Sequence, residues 1–147
     1  MKMQILKILK NQRFGIFTSV RGNIPHPTLV AFINSEDLSK IFFATTKKSR
    51  KFRNLIENPN VVLFWNTQTN KPDDVRSSVT LTGIGHASPL NDSAEQRRVK
   101  KIYITKHPYM QDFVNEEETA LISVQIEKYE LLSDFEKVKK YRIKKVK

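Results

Sequence analysis

Cysteine is absent from the 147-residue chain, which excludes disulfides, thiolate metal centres and thiol nucleophiles and fits a reducing cytoplasm. Glycine is scarce as well. The four present, Gly15, Gly22, Gly83 and Gly85, are isolated or lie in strand-like segments, so there is neither a Gly-x-Gly-x-x-Gly dinucleotide loop nor a nucleophile elbow. Histidine occurs only as His26, His86 and His107, too dispersed for a metal site and without an acidic pair to complete one. No apolar run approaches the ~18 residues that span a bilayer. The opening MKMQILKILKNQR interrupts its apolar residues every few positions, as at Ile5-Leu6. It reads as a short amphipathic helix, not a signal peptide.

Acid is also in short supply: 15 Asp and Glu face 26 Lys and Arg, a formal charge of +11. The surplus is uneven. The last twelve residues, EKVKKYRIKKVK, carry seven cations against Glu136 alone and account for about half of it. Such a run is a solvated, solubilising end, or an attractor for nucleic acid or anionic membrane. The expected organisation is one domain over 1–135, large enough to bury a real core, followed by a basic tail over 136–147.

What is abundant is β-branched and aromatic sequence. RFGIFTSV (Arg13–Val20) runs into Arg21-Gly22-Asn23, a hairpin signal. HPTLVAFIN (His26–Asn34) and KIFFATT (Lys40–Thr46) supply two more strands across the turn SEDLS, making an antiparallel meander. A helix follows from about Ser49 to Asn58, with Phe52, Leu55 and Ile56 on one face and Asn58-Pro59 as its stop. NVVLFWNT (Asn60–Thr67) and SVTLTGIGHASPL (Ser78–Leu90) are strands four and five. A second helix starts at Asp92 or Ser93 with Val99, Ile102 and Tyr103 inward, and ends at His107-Pro108. TALISVQIEKYELL (Thr119–Leu132) is strand six. The order βββαββαβ, mainly β and antiparallel with edges to hide, predicts a small six-stranded closed or split barrel.

One segment, TTKKSRKFRNLIENP (Thr45–Pro59), sets a puzzle. Lys47, Lys48, Arg50, Lys51 and Arg53 crowd the N-terminal end of the first predicted helix, where the helix dipole already favours anions. A bound phosphate removes the conflict. Free backbone N–H groups, the hydroxyls of Thr45, Thr46 and Ser49, the fork of Arg50 and the point charge of Lys51 together make a phosphate cradle. The plain alternative is a solvated basic face.

SRKFRNLIENPNVVLFW (Ser49–Trp65) resembles the Ser-Arg-Lys segment of the pyridoxamine 5′-phosphate oxidase-like, FMN-binding split-barrel family, which follows the third strand and opens a helix ending in Asn-Pro. FGIFTSVRGNIPHPTLVAFI and SSVTLTGIGHASPL resemble, more loosely, that family's opening hairpin and fifth strand. The resemblance implies a homodimeric β-barrel with FMN in a groove between subunits. Thr45, Thr46, Ser49, Arg50 and Lys51 would hold the phosphate and ribityl chain, and backbone at Thr28, Leu29 and Val30 would line the flavin. Trp65 would pack near the ring or the dimer groove, unless it is simply a core residue. Ser78 stands where the family has a Gln on the fifth strand.

Other features depart from the true oxidases. Their second strand carries an Arg and a Lys, where this chain has TLVAFI with no cation between His26 and Glu36. Their C-terminal Trp and Arg-Leu-His region has no counterpart. These departures favour an FMN-binding oxidoreductase on some other small molecule over vitamin B6 chemistry, with no catalytic residue assignable. A deazaflavin, used by related split barrels, or haem carriage are the alternative cofactors. From another class, a basic barrel binding nucleic acid without catalysis ranks behind them. RFGIF offers stacking aromatics, but no Gly follows its Arg, and adjacent Phe42 and Phe43 must point to opposite faces, putting at least one in the core.

Overall fold

The computed structural model describes residues 1–134 and 137–144. The chain begins with α1 (Lys2–Asn11), then the hairpin β1 (Phe14–Arg21) and β2 (Ile24–Asn34). β3 (Lys40–Thr46), α2 (Arg50–Glu57) and β4 (Asn60–Asn66) follow. The short α3 (Asp74–Ser77) leads into β5 (Val79–Pro89) and α4 (Ser93–Lys106). A 3-10 turn (Pro108–Met110) and α5 (Gln111–Val114) precede β6 (Thr119–Ser133) and β7 (Lys137–Arg142).

The strands order as β3-β2-β1-β4-β5-β6-β7, all neighbours antiparallel, and β3 also pairs with β6. The first six therefore close into the expected barrel, leaving no raw edge among them. β7 adds a seventh strand outside it, on the second half of β6. Lys137–Arg142 thus have strand structure within the stretch read from sequence as a tail; Glu136 and 145–147 of that stretch lie outside the described residues.

Alternation along the strands builds the core. Phe17, Phe32, Phe43, Leu63, Trp65, Leu81 and Tyr129 point into the barrel, while Ile5 and Leu9 of α1 plug one end and Leu55 of α2 packs into the same cluster. A second cluster lies on the outer face of β2 and β3, where Ala31, Ile33, Phe42 and Ala44 are covered by Val99 and Tyr103 of α4 and Val114 of α5. Adjacent Phe42 and Phe43 thus face opposite ways and both are buried. Two helix-face expectations fail. Ile56 is 55% exposed and Ile102 45%, because each short helix turns only a narrow stripe to the sheet. The place expected for Ile56 is partly filled by Asn54, buried and donating from Nδ2 to Ser19 Oγ at 3.1 Å. No helix among the described residues is long and apolar enough to cross a membrane.

Candidate functional site: a hydroxyl-lined cradle where the barrel wall opens

Ser49 caps α2: its backbone is extended and its Oγ accepts from the N–H of Phe52 at 3.1 Å. The same oxygen shares a 2.9 Å hydrogen bond with Thr45 Oγ1. Thr45 is buried at the end of β3, so strand and helix are tied through two hydroxyls. Thr46 closes the intervening turn, its carbonyl accepting from Ser49 N at 3.0 Å and its Oγ1 from Lys48 N at 3.3 Å. The first-turn N–H groups of Arg50 and Lys51 have no acceptor within the helix. Arg50 is exposed and Lys51 half-buried, and burial pulls the Lys51 pKa down from the ordinary lysine value. None of the five clustered cations forms an ion pair among the described residues. A partly desolvated lysine beside capped hydroxyls and a positive helix end is a donor set that fits a phosphate monoester.

The cradle lies where β2 and β3 part. Their ladder ends at Phe32↔Phe43; one residue further, the Tyr103 hydroxyl occupies the seam. It donates to the Ala31 carbonyl at 2.9 Å and accepts a backbone hydrogen bond from Ala44. Burial pushes its pKa up to about 12, so the phenol remains a donor at neutral pH. Continuing the register puts Val30 level with Thr45 and Leu29 level with Thr46. Thr28 is half-buried with Oγ1 donating to Phe17 O at 3.4 Å, Leu29 is 66% exposed, and Val30 is buried. Thr28, Leu29 and Val30 therefore share a neighbourhood with Thr45, Thr46, Ser49, Arg50 and Lys51. Tyr103 was legible in the sequence only as an apolar helix position, although a buried Tyr must find its hydroxyl a partner.

Two predicted residues lie elsewhere. Trp65 is 1% exposed inside the barrel, 5.2 Å ring to ring from Phe32, with Nε1 unpartnered against Gly15; it is a core residue. Ser78 caps α3, donating to the Asp74 carbonyl. The next residue, Val79, pairs with Ser133, whereas Thr46 pairs with Thr119. Ser78 and the cradle thus sit toward opposite ends of β6 within one chain.

A family model for pyridoxamine 5′-phosphate oxidase matches residues 1–133. The chain belongs to that family. Comparison with curated proteins by sequence finds no match, but many solved structures share the fold. General stress protein 26 from Bacillus anthracis is 19% identical, with 96% of this chain and 97% of that one covered at a TM-score of 0.72. The haem storage protein HutZ from Vibrio cholerae is 17% identical, with 89% and 92% covered at 0.75. A haem-binding protein from Mycobacterium smegmatis is 10% identical at 0.80, with 92% of this chain covering 55% of that one.

This pyridoxamine 5′-phosphate oxidase-family barrel has two further features relevant to a cofactor. Its outer face over β2, β1, β4 and β5 is apolar: Leu29, Ile16 and Phe64 form one cross-strand row, and Pro27, Thr18, Val62 and Ile84 the next. A shallow cleft of about 230 Å³ runs between Val20, Val62 and Ile84, edged by the His86–Glu127 pair at 3.0 Å. The buried His107 has both nitrogens engaged, Nε2 donating to the Phe32 carbonyl and Nδ1 accepting from Tyr109, each at 2.8 Å. Burial holds its ring neutral, and Lys106 and Arg13 push the same way.

Proposed function

We propose that the protein is an FMN-binding member of the family that acts as an oxidoreductase on a small molecule in the cytoplasm. The observation that carries this reading is the cradle itself: paired hydroxyls of Thr45 and Ser49 and a half-buried Lys51, with five local cations and no acid bound to them among the described residues. In this reading Arg50 and Lys51 hold the phosphate, Thr46 and Ser49 orient the ribityl chain, and the backbone of Thr28, Leu29 and Val30 lines the ring. Bound FMN would supply hydride or single-electron transfer, the protein contributing position and electrostatics. With no cation on β2 between His26 and Glu36, the proposed substrate is not pyridoxamine phosphate.

The apolar outer face favours a homodimer. An exposed Leu29 beside Ile16, Phe64 and Val62 is a contiguous patch that a second copy would cover. A two-fold axis through it would also let Ser78 of one subunit approach the cradle of the other.

The names of the Vibrio and Mycobacterium structures favour haem as the second reading. Both nitrogens of His107 being taken, an axial histidine would have to be His26 or His86. The spectrum and mass of the small molecule that co-purifies separate flavin, deazaflavin, haem and none. The double variant Arg50→Ala, Lys51→Ala should lose FMN by a few kcal/mol; full flavin content in that variant would sink the assignment.

A further inference from the structure

A second polar cleft backs onto the cradle. It measures about 170 Å³, and Lys47 of the β3–α2 turn and Lys100 of α4 stand at its rim over a floor of Phe52, Leu90, Val114 and Leu121. We propose that this cleft binds a small organic carboxylate with an apolar body, such as an aromatic or branched aliphatic acid. Its volume falls below the roughly 300–1,000 Å³ of sites for drug-sized ligands, so neither a flavin nor a haem fits, and the cleft is separate from the cofactor site.

The polar groups of the lining are sorted by their existing bonds. Gln96 Nε2 donates to the Leu90 carbonyl at 2.6 Å, and Thr119 Oγ1 to the Phe113 carbonyl at 2.7 Å. The backbone N–H of Lys47 is held by the Glu118 carbonyl at 2.8 Å, which fixes where its side chain starts. What is left for a ligand is the two ammonium groups, neither in an ion pair among the described residues. Two point charges suit a carboxylate's two oxygens. The floor suits a hydrocarbon body: leucine, valine and phenylalanine there would desolvate a bare phosphate without replacing its hydrogen bonds. Charge at the rim and apolar surface beneath select for both halves of one amphipathic anion.

Benzoate is the probe, titrated by ligand-observed NMR against the whole protein, with benzamide as its neutral isostere and inorganic phosphate as the bare anion. Benzoate should bind saturably, benzamide about tenfold more weakly, and phosphate should not displace benzoate. Lys47→Ala with Lys100→Ala should weaken benzoate binding about tenfold at an unchanged thermal unfolding midpoint. Arg50→Ala with Lys51→Ala should leave it intact. The proposal is overturned by no saturable benzoate binding, by equal binding of benzamide, or by a Lys47/Lys100 double variant that binds benzoate like the parent. Loss of benzoate in the Arg50/Lys51 variant would place the ligand in the cradle and overturn it too.

Discussion

The Tyr103 hydroxyl donates to the Ala31 carbonyl at 2.9 Å, in the seam where β2 and β3 separate. A helix side chain thereby takes the place of a ladder partner, satisfying backbone groups that the parting strands leave over. The opening beside the cradle is held by α4, a helix that supplies no group to the cradle itself.

Tyr103→Phe tests that role. The ring and its packing against Val99 and Ala31 stay, but the buried Ala31 carbonyl loses its partner. An unsatisfied buried group costs about 1–3 kcal/mol, which urea unfolding would read. If the variant matches the parent in midpoint and slope, the strands zip together without the hydroxyl and the seam is not held by Tyr103.

Ser49→Ala should cost more than an exposed helix cap does. The substitution removes the acceptor for Phe52 N and also strands the buried Thr45 hydroxyl. The expected loss is about 1–3 kcal/mol. Ser49→Thr, which keeps the oxygen, should recover most of it. A cost of only a few tenths in Ser49→Ala would mean that water replaces the serine oxygen and that Thr45 and Ser49 are not rigidly coupled.

Much of this was legible in the chain. Six barrel strands and two principal helices follow from alternation and punctuation, and the Ser-Arg-Lys run located the cradle. The missing parts depended on tertiary context. β7 hides its Tyr141 and Ile143, which pack on the core, among cations whose density reads as solvated tail; only pairing with β6 makes it a strand. Ser78 sits at the start of a strand whose length cannot be converted to a distance from the cradle without knowing how β5 and β6 pair. Trp65 has the same sequence signature whether it faces a ring or a core, and the closeness of Gly15 decides for the core.

Lys106 should give the protein an alkaline gain in stability. Its Nζ lies 3.9 Å over the Phe32 ring and donates to the Leu9 carbonyl at the end of α1. Both contacts favour the ammonium, but burial outweighs them and lowers its pKa to about 8. Between there and the ordinary lysine value of 10.5 the unfolded chain holds a proton that the folded protein has released. Stability from this residue therefore rises as pH climbs through that window. Tyr103, raised to about 12, works the other way once unfolded tyrosine begins to ionise near its ordinary value of 10.0. Urea midpoints at about pH 7 and about pH 9.5 should rise more in the parent than in Lys106→Met. Equal changes in the two proteins would show that the cation–π contact and the carbonyl hold the lysine charged.

Gly85→Ala should be the harshest small change in the barrel. The β5–β6 register shifts between Ile84 and Gly85, and there the two backbones come so close that an added Cβ would sit 2.0 Å from the Gln125 carbonyl oxygen. Because the obstacle is backbone and not a side-chain tip, the strands must part, at a cost of about 1–3 kcal/mol or more. Gly22→Asn is the control: Gly22 turns the β1–β2 hairpin at φ +58° with nothing within 4 Å of the added atom. Asparagine tolerates that conformation better than other non-glycine residues, so its effect should be the smaller by thermal unfolding. If Gly22→Asn costs as much as Gly85→Ala, close strand approach at the bulge is not what demands glycine there.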